Sequence, residues 1–187
     1  GQASCVECEM GKYNNDTEGA ESKNVCKPCE VGRYASTTAS TQCQECPPGS
    51  HCPNANTEIY IECPPGKYAD DGLRTECLDC PAGRYQPNNG SAICEPCPKG
   101  KYLDTSGSIH ETECMNCSVG TYNNNTGLAS CVPCSLGYVC DVEGLKVGKK
   151  CPAGTFGEVM EDVTKCTTCP AGTYQPDKGQ ASCVECE

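Results

Sequence analysis

Twenty-two cysteines stand among 187 residues, beside only two histidines, and they are the residues here whose number and spacing could do chemistry. Three kinds are open to them. They could close disulfides, hold zinc as thiolates, or cycle as redox pairs in Cys-x-x-Cys motifs. A redox Cys-x-x-Cys needs a strand–helix–strand setting, and no helical periodicity is present to supply one. Zinc has a better claim, because Cys26, Cys29, Cys43 and Cys46 have nearly the spacing of a four-Cys site. Every Cys-x-x-Cys would then be shared in an unbroken run, and neither His51 nor His110 lies at ligand spacing. Disulfides fit the rest of the composition. Val, Leu, Ile and Phe together number 22, too few to offset chain entropy by burial alone, so covalent closure must hold the fold. Disulfides persist in oxidising surroundings, which places the chain outside the cell, secreted or at its surface.

The cysteines mark a repeat. Taking the second Cys of each Cys-x-x-Cys as a start, units begin at Cys8, Cys29, Cys46, Cys63, Cys80, Cys97, Cys117, Cys134, Cys151 and Cys169. The consensus is C-P-x-G-x-Y, a polar stretch, then C-x-x-C. Most units are 17 residues long, and units one to five and six to ten each total 89 residues. The domain boundaries read from this are 1–7 as the end of a preceding unit, 8–96 and 97–185 as two five-unit blocks, and 186–187 as the start of the next period. GQASCVECE occurs at residues 1–9 and again at 179–187, which favours a window on a longer tandem array.

Parity decides the pairing. Units three and eight carry Tyr60 and Gly148 where the second Cys of the unit belongs, and each gains a Cys elsewhere, Cys52 and Cys140. One Cys lost and one gained, twice, is the mark of bonding inside the unit. The expected bonds are Cys8–Cys26, Cys29–Cys43, Cys46–Cys52, Cys63–Cys77, Cys80–Cys94, Cys97–Cys114, Cys117–Cys131, Cys134–Cys140, Cys151–Cys166 and Cys169–Cys183. Cys5 and Cys186 are left over, and in a longer array they would bond to neighbouring periods.

These spacings predict a small disulfide-rich fold: an elongated rod of ten tandem units, each of short β-strands and turns, with little or no helix. Gly stands three residues after each starting Cys, and an aromatic two residues beyond it in eight units. The ring is expected to cover the disulfide and to pack on the neighbouring unit, and stability is expected from nearest-neighbour contacts.

The C-P-x-G-x-Y…C-x-x-C unit resembles the ephrin-receptor-like cysteine-rich repeat, and also the first half of a tumour-necrosis-factor-receptor cysteine-rich module, over essentially the whole chain. The resemblance implies a thin rod of stacked loops with the first and second Cys of each unit bonded. Receptors of that family mix module types, whereas this chain repeats one, which favours a structural array.

Asn15, Asn89, Asn116 and Asn124 head N-x-S/T sequons and are candidates for N-linked glycans; the middle residue of the Asn116 sequon is Cys117. The acidic pairs Asp70–Asp71 and Glu161–Asp162 lack the alternating ligands of a calcium loop and read as solvated surface. No catalytic constellation, resident metal or cofactor is expected. A net charge of −11 excludes ordinary nucleic-acid binding, and no apolar run is long enough to span a membrane. The expected function is that of a non-catalytic extracellular glycoprotein, forming or coating a filament, whose partner is itself. The alternative is a receptor or adhesin ectodomain with a protein ligand. Ile59, Tyr60 and Ile61 in unit three, and Tyr138 and Val139 in unit eight, are the candidate contacts for either.

Overall fold

The computed structural model describes residues 7–15, 25–160 and 163–187. Cys5 and the pair Glu161–Asp162 therefore lie outside the described residues. No α-helix occurs among the described residues; Glu111–Glu113 form a short 3-10 turn.

Each unit is one antiparallel hairpin. In order the strands are β1 (Lys12–Tyr13), β2 (Lys27–Pro28), β3 (Arg33–Tyr34), β4 (Gln44–Glu45), β5 (Ser50–His51), β6 (Ile61–Glu62), β7 (Lys67–Tyr68), β8 (Leu78–Asp79), β9 (Arg84–Tyr85) and β10 (Glu95–Pro96). They continue as β11 (Lys101–Tyr102), β12 (Met115–Asn116), β13 (Thr121–Tyr122), β14 (Val132–Pro133), β15 (Tyr138–Val139), β16 (Lys149–Lys150), β17 (Thr155–Met160), β18 (Val163–Thr168), β19 (Thr173–Tyr174) and β20 (Val184–Glu185). Consecutive strands pair into ten two-stranded sheets. The register is constant: the residue in the aromatic slot faces the first residue inside the closing Cys-x-x-Cys, as in Tyr34↔Gln44 and Tyr102↔Met115. The two residues before the next unit's starting Cys thus are the second strand in every unit but the ninth, where β18 runs from Val163 to Thr168. Two-residue strands are too short to stand alone in water. A disulfide in every hairpin supplies what packing cannot.

The chain divides into two compact bodies, Gly1–Cys80 with Gln86–Cys94, and Pro81–Tyr85 with Glu95–Glu187. Starting cysteines are the core of both. Cys29, Cys46 and Cys63 in the first body, and Cys97, Cys117 and Cys151 in the second, are fully buried. Leu103 joins Cys97 and Cys114 in a small cluster of the second body, with the Tyr85 ring packed on it.

The rings are not the core. Tyr13, Tyr34, Tyr68, Tyr85, Tyr102, Tyr122 and Phe156 are half-buried, and Tyr174 is exposed. The residue after the ring is the buried one: Ala35, Cys52, Ala69, Gln86, Leu103, Asn123, Cys140, Gly157 and Gln175. The reason lies in the backbone. This residue sits just past the strand, and its carbonyl accepts the N–H of the previous unit's Gly, as Ala35 accepts from Gly11 at 2.9 Å. Its own N–H goes to the next unit's turn, as Ala35 to the Thr57 carbonyl at 3.1 Å. Ala35, Cys52, Ala69, Leu103 and Asn123 are bonded in this way on both sides, with neighbours before and behind, and their side chains have no path to water. Where the residue is polar it is satisfied: Gln86 Nε2 donates to the Ile93 carbonyl, and Asn123 Nδ2 to that of Lys101, both at 2.7 Å.

Candidate functional site

The seam between units is where the residues of special type converge. Its first component is the Gly that follows each starting Cys by three. Gly32 has φ +79°, and a Cβ there would stand 2.6 Å from the Leu73 carbonyl oxygen. Leu73 belongs to unit four and Gly32 to unit two, so the turn of one unit seats on the Gly of the unit two before it. The same contact recurs as Gly11 on Asn56 and Gly49 on Gly90 in the first body. In the second body it recurs as Gly83 on Gly127, Gly100 on Gly144 and Gly137 on Gly179. The turn is also tied to the unit between: the Asn56 N–H donates to the Cys29 carbonyl at 3.0 Å, and that of Gly144 to Cys117 at 2.8 Å. The turns of units three, five, seven, eight and ten therefore each lock onto two units, and the expectation of nearest-neighbour contacts alone is too simple. At Gly154 and Gly172, in units nine and ten, nothing lies within 4 Å of the same position.

The second component is the covalent set. Ten disulfides join Cys8–Cys26, Cys29–Cys43, Cys46–Cys52, Cys63–Cys77, Cys80–Cys94, Cys97–Cys114, Cys117–Cys131, Cys134–Cys140, Cys151–Cys166 and Cys169–Cys183. Cys186 is free and exposed. Cys52 and Cys140 occupy the buried position after the ring, which explains how units three and eight can move their second Cys: the side chain there already points at the starting Cys. His51, Cys63 and Cys77 come close enough together to resemble a metal site, with His51 Nδ1 3.2 Å from Cys77 Sγ. Two of these three are one disulfide, and a bonded sulfur is not a thiolate ligand. His51 Nδ1 also lies 3.1 Å from the Ile61 carbonyl oxygen, within its own hairpin.

The candidate contact residues divide. Ile59 and Ile61 are exposed, at 67% and 51%. Tyr60 between them turns inward and meets the Tyr34 ring edge-on, centroids 5.3 Å apart. Tyr138 and Val139 are half-buried in β15. Between units seven and eight, Tyr122, Asn124, Ser135, Tyr138 and Gly148 line a cleft of about 270 Å³.

All four sequon asparagines are exposed. Asn15 Oδ1 accepts from Lys27 Nζ at 3.2 Å. Asn89 lies in the turn of unit five, and Asn116 in β12, its side chain under the Gly144 turn. Of the acidic pairs, Asp70 binds the Arg74 guanidinium at Nε and Nη2, which holds its carboxyl below the usual range. A feature that composition does not betray is Glu113. Its Oε1 accepts the N–H groups of His110 at 2.8 Å and Ile109 at 3.0 Å, and these backbone bonds lower its pKa. Its signal in the sequence is that it sits just before the second Cys of a unit three residues longer than its neighbours.

Units of one strand pair and one disulfide, ten in succession, with six turns seated on the Gly of the unit two before, define a disulfide-rich tandem-repeat protein. The family described as tyrosine-protein kinase ephrin type A/B receptor-like matches residues 66–114 and 154–187. The chain is a tandem array of cysteine-rich repeats, and in those two segments its repeats are similar to this ephrin-receptor-like family. A stretch of 37 residues is 49% identical to thyroglobulin of Rattus norvegicus, covering 20% of this chain and 1% of that protein. Disulfide density and the repeat family together indicate an extracellular or secreted protein. No helix among the described residues is long and apolar enough to cross a membrane.

Proposed function

We propose that this chain is part of a non-catalytic, structural extracellular glycoprotein whose repeats stack on one another to form or coat a filament. The observation that carries this reading is the seam. The turns of units three, five, seven, eight and ten lock onto the unit before and the one before that, by contacts that use backbone and Gly rather than a particular side chain. Such a contact can be repeated without limit, because any unit with the consensus fits any other. The open positions at Gly154 and Gly172 offer a further pair of units the same seat. Self-continuation of the array is thus the partner proposed, with Cys186 as the bond to the next unit. Glycans at Asn15, Asn89 and Asn124 would shield the surface, and Asn116, packed under a turn, is the poorest acceptor of the four.

Electron microscopy of the native, unreduced material tests this. The expected result is filaments whose density follows hairpins at one-unit intervals past residues 1 and 187, with Gly172 covered by a following turn. Discrete particles would overturn it. A second reading, a receptor or adhesin ectodomain, is favoured by the exposed pair Ile59 and Ile61, since exposed apolar side chains flanking a half-buried ring suit a protein ligand. Under that reading Ile59→Asp with Ile61→Asp would abolish capture of the ligand and leave self-association intact.

A further inference from the structure

We propose that the cleft between units seven and eight seats the first N-acetylglucosamine of an N-glycan on Asn124, with the sugar packed on the Tyr122 ring. The proposal rests on the glycoprotein reading above and deepens it at one site.

A substitution between corresponding units stands beside the cleft. Tyr34 in unit two and Tyr122 in unit seven occupy the same slot, and so do Tyr60 in unit three and Gly148 in unit eight. In the first pair Tyr60 lays its ring edge-on against Tyr34. In the second, Gly148 has no ring to offer, and beside Tyr122 the space is open, about 270 Å³ in volume. Gly148 forms part of its wall, with Tyr138 and Ser135. A half-buried ring beside an open cleft lined by polar and apolar groups alike is a place for a ligand with one apolar face and a polar rim.

Asn124 also lines the cleft. It stands two residues after Tyr122 in the sequon N-N-T, and it is exposed. A sugar linked to its Nδ2 starts at the rim and needs no travel to reach the ring. The chemistry suits. A β-N-acetylglucosamine residue has a face of C–H groups that lies well on an aromatic ring, and hydroxyl and acetamide groups for the polar rim. The Tyr138 phenol and the Ser135 hydroxyl supply donors and acceptors there.

A cleft beside a ring occurs a second time. Between units one and two, Tyr13, Arg33, Gln42 and Cys43 line a cleft of the same volume, about 270 Å³. Asn15, again two residues after the ring, heads the sequon N-D-T. Both clefts lie between the ring of one unit and the closing-Cys position of the next, Cys43 in one and Gly148 in the other. Asn124 lines its cleft, whereas Asn15 is not among the residues that line the other, so Asn124 is the site proposed. Asn89 is four residues past its ring and lacks the offset.

The test is made on the whole chain secreted from a glycosylating host, with mass spectrometry for occupancy at Asn124 and nuclear magnetic resonance for contact. The acetyl methyl protons of the first sugar are expected to show ring-current shifts and Overhauser effects to Tyr122. Trimming the glycan to one sugar should leave the thermal midpoint unchanged, and Asn124→Gln should lower it by roughly 2–4 °C. In a Tyr122→Ala background Asn124→Gln should lower it no further, whereas in Tyr122→Phe the full effect should return. An occupied Asn124 with unshifted methyl protons and additive midpoints would overturn the docking and leave the glycoprotein reading standing. An unoccupied Asn124 would overturn both at this site.

Discussion

Gly32 and Gly172 share a backbone conformation and differ in what stands over them. Both have φ near +80°, but Gly32 faces the Leu73 carbonyl and Gly172 faces nothing within 4 Å. Alanine at either must adopt the left-handed region, at a cost of roughly 1–2 kcal/mol. At Gly32 the methyl must also displace a turn, and overpacking adds about 1–3 kcal/mol. Gly172→Ala is therefore expected to lower the stability of the chain by about 1–2 kcal/mol and Gly32→Ala by about 2–5 kcal/mol, in thermal or denaturant unfolding. Equal losses would show that positive φ alone accounts for the Gly, and that the seat of the turn contributes nothing.

The hairpin is the element at which most of the fold can be read in advance. Its strands, its turn and its disulfide are all spelled by C-P-x-G-x-Y…C-x-x-C, and the lost and gained cysteines of units three and eight place the bonds inside it. The buried position after the ring is not spelled. Ala, Cys, Gln, Leu, Asn and Gly all occur there, because what makes it buried is its backbone bonds to other units and not its side chain. A ring, by contrast, is conspicuous in sequence and attracts the burial assignment, yet in a two-residue strand it lies over the hairpin's outer face. The 3-10 turn at Glu111–Glu113 was equally hidden, since it depends on one carboxylate capping two N–H groups. That cap has a pH signature. The backbone bonds from His110 and Ile109 lower the folded pKa of Glu113 below its ordinary 4.5. Its contribution is thus fully present above that value and is lost as pH falls through the lowered folded one. Glu113→Gln, measured by denaturant midpoint, should be less stable than the parent chain at pH 7, with the gap closing at steps below pH 4.5. A gap that stays constant would mean that the charge of the carboxylate is not what the two N–H groups need.

At the scale of the molecule, the range of coupling between units decides how the array behaves. Single-sequence reading gives the repeat but not its pitch, and without the pitch the Gly of one unit cannot be matched to the turn two units on. Nearest-neighbour stacking would confine any local opening to the unit next to the break. The observed seam extends it. Unit ten bonds to unit nine through Gly154 N–H to the Gln175 carbonyl at 2.7 Å and Gly179 N–H to Cys151 at 2.9 Å. It also seats the Gly179 turn on Gly137, in unit eight. The Cys151 N–H, donated to the Gly137 carbonyl at 2.9 Å, reports on the closure of the unit eight hairpin. Removing unit ten by ending the chain at Thr168 is therefore expected to speed hydrogen exchange in units nine and eight together, with the Cys151 amide among the accelerated ones, and to leave unit seven near its original rate. Acceleration confined to unit nine would reduce the protein to a simple nearest-neighbour stack. Acceleration in both makes each added unit stabilise two predecessors, so that a break in a long array is resisted by overlapping locks and not by one.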